Sequence, residues 1–265
     1  MTLLRLKGML KDMELNPTII EVTPENLDQY PGVVCFINPK HPCHHFKMDW
    51  MKEQYPRGLK VRLLYLPEEK RPVGYIESIP GENCWRGVAA AGWTFIHCLW
   101  TNGKKYQHQG LGKRLLEEVE TEARGSRGVA VMVSGKAFMA DASLFLKNGY
   151  TPAAVSGSEQ ILVKPFGSCP LPVFTSGDFE TASGLTLYYT RQCPWIARFI
   201  EEVKPVLKEQ GLEATIIELT SPEEVRRAPS AYGGFSLVYD GRLLADRYIS
   251  LTRFKNIVNK EIRGR

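Results

Sequence analysis

Gln107-His108-Gln109-Gly110-Leu111-Gly112 lies between an apolar strand and an amphipathic helix. Glycines at such a junction let the backbone approach a ligand closely, and the free amides at the start of the helix point outward. The helix dipole adds positive potential, and so do the basic side chains nearby, Lys104, Lys105, Lys113 and Arg114. The stretch therefore predicts a cradle for a pyrophosphate.

Apolar periodicity predicts a mixed α/β order on both sides of this loop. Before it come strands at Thr18–Val22, Lys60–Leu66, Val73–Ile79 and Trp93–Trp100, with a helix at His44–Gln54. After it, buried positions of one helix face recur at Leu111, Leu115, Leu116, Val119 and Ala123. A strand at Val129–Val133, a helix at Phe138–Lys147 and a last strand at Ile161–Val163 complete this part.

Two better-known phosphate loops fit this glycine motif poorly. Gly110-Leu111-Gly112 lacks the third glycine of the dinucleotide fingerprint, and no Gly-Lys-Ser/Thr ending is present. The spacing instead resembles the Gln/Arg-x-x-Gly-x-Gly/Ala motif of the GNAT superfamily of acetyl-CoA-dependent N-acetyltransferases. Phe145-Leu146-Lys147-Asn148-Gly149-Tyr150 is similar to a second segment of that family, Tyr-x-Lys-x-Gly-Phe. The resemblance covers residues 18–165 and implies a GNAT-type mixed sheet flanked by helices.

The resemblance also implies acetyl-CoA as cosubstrate and an amine as acceptor. The loop amides would hold the pyrophosphate, and one strand would splay from its neighbour to receive the pantetheine arm. The cofactor-binding residues expected on this basis are His97, Cys98, Leu99, Trp100, Gln107, His108, Gln109, Gly110, Leu111, Gly112 and Lys113.

Catalysis is where the sequence departs from the family. Phe145 stands where the superfamily often has a tyrosine that protonates the departing thiolate, and phenylalanine cannot do so. Alternative donors are Tyr150, Tyr106, Ser143, Cys98 and water. Glu77 and His97 are the chemically plausible bases for the amine if either faces the cleft. Each can also be interpreted as an ordinary strand residue, solvated or hydrogen-bonded in the core.

A histidine-rich stretch, His41-Pro42-Cys43-His44-His45, invites a zinc interpretation. Its spacing argues against one, because structural zinc sites usually pair this kind of motif with a second Cys/His pair, and no metal site is expected. A helix entry that lines an acceptor pocket is the favoured interpretation. Trp50, Tyr55 and Trp85 are either pocket or core aromatics.

The chain after residue 184 restarts with its own α/β pattern. Strands are expected at Leu185–Thr190 and Ala214–Leu219, with helices at Pro194–Gln210, Pro222–Ala228 and Leu251–Ile262. Asp240-Gly241 predicts a tight hairpin between Phe235–Tyr239 and Arg242–Ile249. Cys193 stands at a helix start, where the amides favour its thiolate.

This second pattern resembles glutaredoxins and the thioredoxin fold, whose helix opens with Cys-Pro-aromatic-Cys/Ser. The whole chain resembles GNAT proteins with a YoaP-like C-terminal domain. Ile196 occupies the resolving position and Tyr232-Gly233-Gly234 stands where thioredoxins have a cis-proline, so dithiol chemistry within this motif is excluded. Cys193 remains open as a single reactive thiol, a thiol-binding group or a helix cap.

The predicted fold class is thus α/β (α+β), a GNAT-type domain followed by a smaller thioredoxin-like domain. The expected boundaries are an N-terminal extension at 1–17, the GNAT domain at 18–165, a Pro/Gly-rich linker at 166–184 and the thioredoxin-like YoaP-type domain at 185–265. The leading function is N-acetyl transfer to a small-molecule amine by direct attack. The alternatives are acyl transfer through Cys98 or Cys193, a monothiol redox or thiol-binding protein that uses Cys193 and senses CoA, and a non-catalytic binding module.

Composition sets outer limits on these interpretations. The 265 residues are 43% hydrophobic and 24% charged, which is typical of folded globular chains, and the net charge of +5 is too small for a dedicated nucleic-acid binder. The apolar run Val88–Trp100 is shorter than the roughly 18 residues of a membrane-spanning helix. Six scattered cysteines and the lack of a secretory signal lead us to expect a cytoplasmic protein with reduced thiols and no membrane partner.

Overall fold

A seven-stranded mixed sheet is the framework of the larger half of the protein. The computed structural model describes residues 16–30, 38–102, 106, 108–136, 139–175, 177 and 179–264. The sheet contains β1 (Thr18–Val22), β2 (Lys60–Tyr65), β3 (Gly74–Pro80), β5 (Thr94–Thr101), β6 (Gly128–Ser134), β7 (Thr151–Ser156) and β8 (Glu159–Pro165). Their spatial order is β1-β2-β3-β5-β6-β8-β7, antiparallel throughout except for the parallel pair β5 and β6.

α1 (His44–Gln54) precedes β2 in the chain, and the helices of this half are α2 (Leu111–Glu122) and α3 (Ala142–Lys147). α2 packs its apolar side on the sheet, and the five positions predicted for its buried face are all buried, Leu111, Leu115, Leu116, Val119 and Ala123. Burial of one such leucine contributes about 1.5–3 kcal/mol to folding. α3 begins later than expected because the Asp141 side chain accepts a hydrogen bond from the Ser143 amide and caps the helix there.

Charged side chains tie the far end of α2 to the first strands. Arg62 on β2 is buried, and its guanidinium lies 2.5 Å from the Glu122 carboxylate and 3.5 Å from that of Glu21. Lys60 adds ion pairs of 2.8 Å with Glu21 and 3.4 Å with Glu122. Four side chains thus fix the orientation of the helix that begins at the glycine loop.

A four-stranded sheet forms the framework of the second half. It contains β10 (Leu185–Tyr189), β11 (Ala214–Glu218), β12 (Phe235–Tyr239) and β13 (Arg242–Ala245) in the order β11-β10-β12-β13. β10 and β11 are parallel, and the other two pairings are antiparallel. The helices are α4 (Pro194–Glu209), α5 (Pro222–Arg226) and α6 (Leu251–Ile257), which runs into a π-helical turn at Val258–Ile262. The predicted element order is confirmed.

Two compact units emerge from the contacts of the chain. The first comprises the described residues within Met1–Val33, Gln54–Asn83 and Ala90–Val173. The second comprises those within Val34–Glu53, Cys84–Ala89 and Phe174–Arg265. The contacts therefore do not follow the contiguous boundaries expected from the sequence, since α1 and the segment 84–89 join the second unit.

Some elements differ from the sequence expectation. β7 was not predicted, and the short strands β4 (Val88–Ala89) and β9 (Val173–Phe174) were missed, the second of them within the expected linker. The hairpin strand ends at Ala245, not at Ile249. Most of the expected N-terminal extension, residues 1–15, lies outside the described residues, as do Cys35, Lys104, Lys105, Gln107 and Phe138.

Candidate functional site

Strands β5 and β6 run in parallel only at their beginnings. Their pairing starts at Thr94 with Val129 and ends at Ile96 with Val131, although the strands continue to Thr101 and Ser134. Within these described strands, β6 therefore supplies no ladder partner for the second half of β5. The separation expected at His97–Trp100 is present, and its use by a pantetheine arm stays a prediction.

A β-bulge occurs at His97 on the other side of the same strand. Glu77 pairs with Cys98 while Ser78 pairs with Ile96, which leaves His97 as an extra residue in β5. In a bulge, two successive residues oppose one residue of the partner strand. His97 and Cys98 both oppose Glu77, so the usual alternation of faces is interrupted here.

The bulge brings together three buried polar side chains. Nδ1 of His97 lies 3.0 Å from Oε1 of Glu77, and the side chains of both are fully inaccessible to solvent. Tyr75 donates a 2.6 Å hydrogen bond from its hydroxyl to Oε2 of Glu77. Against an ionised carboxylate, which can only accept, Nδ1 of a neutral imidazole is the donor, and Nε2 is then the unprotonated nitrogen. The structure thus unites the two residues expected as bases.

Tyr75 was missed in the sequence analysis. It stands two residues before Glu77 on β3, and side chains two apart share one face of a strand. That spacing was the available signal. Its hydroxyl orients the carboxylate from the side opposite to His97.

The predicted cradle lies at the start of α2. His108 and Gly110 both have left-handed backbone conformations, with φ of 61° and 78°, and Gly110 is the N-cap of the helix without a side-chain cap. Gly110 meets this geometry without strain, whereas His108 adopts it despite its side chain. Gln109 is half-buried and precedes this cap directly. The described loop thus turns sharply into the helix. Because the N-cap residue is a glycine, no N-cap side chain accepts a hydrogen bond from the first helix amides.

The other residues expected at the cradle have mixed surroundings. Leu111 is buried in the core, so its backbone amide is the only group that it could offer a ligand. A Cβ at Gly112 would lie 3.3 Å from Leu144 and 3.8 Å from Leu99, which shows close packing at this point. Lys113 is exposed and pairs with Glu117 at 3.3 Å.

The candidate general acids are mostly engaged or buried. The hydroxyl of Tyr106 donates to Glu69, and that of Ser143 donates to Asp141 at 2.8 Å. Tyr150 is buried against Phe145, and burial, followed by the charge of Glu120, raises the pKa of its hydroxyl. Cys98 is a half-buried free thiol on β5.

The second unit holds the segment around Cys193. This residue is the N-cap of α4, its half-buried thiol belongs to no disulfide, and Ile196 at the resolving position is fully buried. Gln192 is buried, and its side-chain oxygen accepts a 3.1 Å hydrogen bond from the guanidinium of Arg86. That guanidinium also stacks over the Tyr232 ring at 4.7 Å.

The histidine-rich stretch forms local bonds at the start of α1. Nδ1 of His41 accepts from the Cys43 amide at 3.1 Å, and Nδ1 of His45 lies 2.6 Å from the Pro42 carbonyl. Burial raises the pKa of the Cys43 thiol, with a smaller contribution from Glu201 and Glu202. In the described residues no group of three or more His, Cys, Asp or Glu could hold a metal ion.

The aromatic residues considered for an acceptor pocket divide into two kinds. Trp50 and Trp85 are core residues of the second unit, 1% and 2% exposed, with rings edge to face at 5.5 Å. Lys47 is buried over the Trp50 ring at 3.9 Å. Tyr55 is half-buried and belongs to the first unit.

Comparisons with known proteins identify a family match and relatives of this chain. The acetyltransferase (GNAT) family model matches residues 25–150, which confirms the predicted resemblance there. The chain is similar to "Uncharacterized N-acetyltransferase YoaP" of Bacillus subtilis (strain 168), with 28% identity over 252 residues that cover 91% of this chain and 98% of the relative. GNAT enzymes use acetyl-CoA as cosubstrate, as expected, and none of these similarities supports the redox alternative.

Solved structures are similar to a little over half of the chain. An acetyltransferase from Thermus thermophilus has 20% identity and a TM-score of 0.42, and covers 57% of this chain and 98% of its own. The PaiA N-acetyltransferase from Thermoplasma acidophilum in complex with coenzyme A has 18% identity and a TM-score of 0.38, and covers 57% of this chain and 100% of its own. In the described residues no helix has the length and apolar character to span a membrane.

Proposed function

We propose, from the GNAT acetyltransferase domain that this chain contains, that the protein transfers the acetyl group of acetyl-CoA to an amine by direct attack. The separation of β5 from β6 after Ile96 carries this proposal. It opens beside the bulge where Glu77 and His97 meet, so the proposed cofactor channel and the proposed base share one strand.

The chain's own groups fit the cosubstrate. The first amides of α2 and the positive end of its dipole suit a pyrophosphate, and Lys113 adds charge beside them. Peptide groups of His97–Trp100 that face the gap suit the amides of a pantetheine arm. Acetyl-CoA supplies an acetyl thioester, and strand N–H groups beside it would stabilise the oxyanion that forms on attack.

The proposed base is the Glu77–His97 pair. Nε2 of His97 takes the proton of the attacking amine, and the carboxylate of Glu77 stabilises the imidazolium through Nδ1–H. Both side chains are shut off from solvent, so the amine would meet the pair where water does not compete. The CoA thiolate is a good leaving group and takes its proton from water, since Phe145 offers none.

The second unit is proposed to be a thioredoxin-like, YoaP-type domain. Support comes from its parallel pair β10 and β11, its antiparallel β12 and β13, and the cysteine at the start of α4. The buried Ile196 restricts any thiol chemistry of this motif to Cys193 alone. Such a domain would serve to contact a substrate or a partner molecule.

Isothermal titration with acetyl-CoA tests the function, followed by an amine panel assayed for thiol release. Lys113→Glu should weaken acetyl-CoA binding about fivefold, because it reverses a charge at the helix start. Arg124→Glu is the matched control, since it makes the same charge change just beyond the other end of the helix and should leave binding unchanged. Equal losses in both variants, or no binding by the parent protein, would refute the proposed cofactor site.

A further inference from the structure

The hydroxyl of Tyr55 is a buried polar group that makes no hydrogen bond to the described residues. Tyr55 opens the short 3-10 turn Tyr55–Arg57 between α1 and β2. Its ring is half-buried, but its hydroxyl oxygen is inaccessible and has no hydrogen-bond partner among the described residues. Buried hydroxyls are nearly always hydrogen-bonded, so an exception at a candidate active site points to a ligand.

The turn that carries Tyr55 is held beside the strand that carries Glu77. Asn83 donates a 2.9 Å hydrogen bond from its side chain to the Arg57 carbonyl, and a Cβ at Gly58 would lie 2.8 Å from Pro80, the last residue of β3. A few residues later, Val61 pairs with Glu77. Several contacts thus anchor the turn to the end of β3 that holds the carboxylate.

The electrostatics of Tyr55 agree with this placement. Burial raises the pKa of its hydroxyl above the ordinary value, and the negative charge of Glu77 is the next cause, ahead of Glu21 and Glu25. The phenol therefore stays neutral at physiological pH. A neutral phenol cannot serve as a base, but its oxygen can accept a hydrogen bond from an N–H group.

The hydroxyls of Tyr55 and Tyr75 differ in their hydrogen bonds. Tyr75 already donates to Oε2 of Glu77, and His97 lies on Oε1. Tyr55 has no such commitment in the described part of the chain, and its hydroxyl is inaccessible to solvent although the residue as a whole is half-buried. Of these two hydroxyls, that of Tyr55 is therefore the one left to contact a bound amine.

We propose that Tyr55 binds the acceptor nitrogen: its hydroxyl oxygen accepts one N–H of the amine that the Glu77–His97 pair deprotonates. The inference rests on the proposed function and specifies its substrate class. A neutral primary amine has two N–H groups, one for Tyr55 and one for the base, and keeps its lone pair for the thioester. A secondary amine has only one N–H, so Tyr55 favours primary amines.

The test uses Tyr55→Phe in the full chain, which removes one oxygen atom. The probes are methylamine, benzylamine, spermidine and alanine amide, each beside its N-methyl counterpart. In Tyr55→Phe we expect KM for primary amines to rise about tenfold, the value for one lost hydrogen bond, with KM for acetyl-CoA unchanged. The preference for primary over N-methyl amines should shrink by a similar factor.

Tyr65→Phe is the matched control, because Tyr65 is another half-buried tyrosine of the first unit, whose raised hydroxyl pKa is caused by burial and Tyr30. The Tyr65→Phe substitution should change neither KM for the primary amines nor KM for acetyl-CoA. Thermal melting adds a second readout, since removal of an unpartnered buried hydroxyl should not lower Tm, whereas a structural role would.

Three results would overturn the inference. They are unchanged amine kinetics in Tyr55→Phe, an equal loss in Tyr65→Phe, and a parent protein that binds acetyl-CoA yet acetylates none of the primary amines. Failure to bind acetyl-CoA would instead refute the proposed function itself, so the two failures are distinguishable.

Discussion

Tyr75 and Trp100 stack across β3 and β5, with ring centroids 5.6 Å apart and planes within 5° of parallel. They are direct partners in the strand pairing, so they share one face of the sheet. That face also holds Glu77, and it is opposite to the face on which Ile76 and Leu99 pack toward α2. The stack therefore fixes one wall beside the proposed base.

Glu77→Gln should lower the rate of acetyl transfer by about 10²- to 10⁴-fold, the usual contribution of a general base. The amide keeps the shape and one acceptor oxygen, but it cannot stabilise an imidazolium at His97. Binding of acetyl-CoA should be unchanged in a titration, because the carboxylate does not face the helix that carries the loop. A variant that keeps full activity would exclude Glu77 from the proton step.

Cys98 should be protected from alkylation by acetyl-CoA. This thiol is half-buried on the part of β5 that leaves β6. At acetyl-CoA about ten times above its Kd, labelling with iodoacetamide should slow about tenfold. Peptide mass spectrometry can follow Cys169 and Cys193 as internal controls, since both are also half-buried and outside any disulfide.

Substitution of Cys98 distinguishes direct attack on the thioester from acyl transfer through a cysteine. Cys98→Ser should retain turnover within about threefold, since direct attack on the thioester needs no thiol of the protein. Cys193→Ser should do likewise. Loss of turnover in one of these variants, together with an acetylated thiol in the parent protein, would favour acyl transfer through that cysteine.

Glu122→Gln should destabilise the protein at neutral pH by about 1 kcal/mol, a modest value because the carboxylate is 40% exposed and Arg62 keeps Glu21. Burial alone would raise the pKa of Glu122, but the hydrogen bond and charge of Arg62, with Lys60, outweigh it and lower the pKa.

The sign of the pH effect follows from that lowered pKa. The folded state binds the Glu122 proton less readily than the unfolded state, so the stabilisation is present above about pH 4.5 and disappears as pH falls through the folded pKa. The free energies of unfolding of parent and variant, measured by urea denaturation, should therefore differ at pH 7 and converge as the pH falls below the folded pKa of Glu122. Glu117→Gln, which breaks only an exposed pair with Lys113, is the control and should cost less than about 0.5 kcal/mol.

Periodicity predicted the parts of the fold in which one face is apolar. The buried positions of α2 and the order of helices and strands along the second unit follow from such patterns. β7 was missed because its sequence, Thr151–Ser156, contains Pro152 and small residues, and its residues are half-buried or exposed. Pairing with β8 specifies that strand, and such long-range pairing leaves little local signal.

The candidate site was predictable in its components but not in its arrangement. The glycine loop has a local signature, and the start of α2 lies where Gly110 predicts it. The contact between Glu77 and His97 depends on an extra residue in one strand, which no alternation of apolar residues reveals. Likewise, the position of the turn that carries Tyr55 is set by contacts with Asn83 and Pro80.

The bulge at His97 divides β5 into two segments with different alternation of faces. Before it, Ile96 faces α2; after it, Leu99 does, three positions later and not two or four. Deletion of His97 would remove the extra residue and restore a single alternation, with Leu99 still toward the helix side and Trp100 still opposite Tyr75. Such a deletion would thus remove the proposed base while the apolar core keeps its register, so the extra residue serves the proposed active site and not the packing.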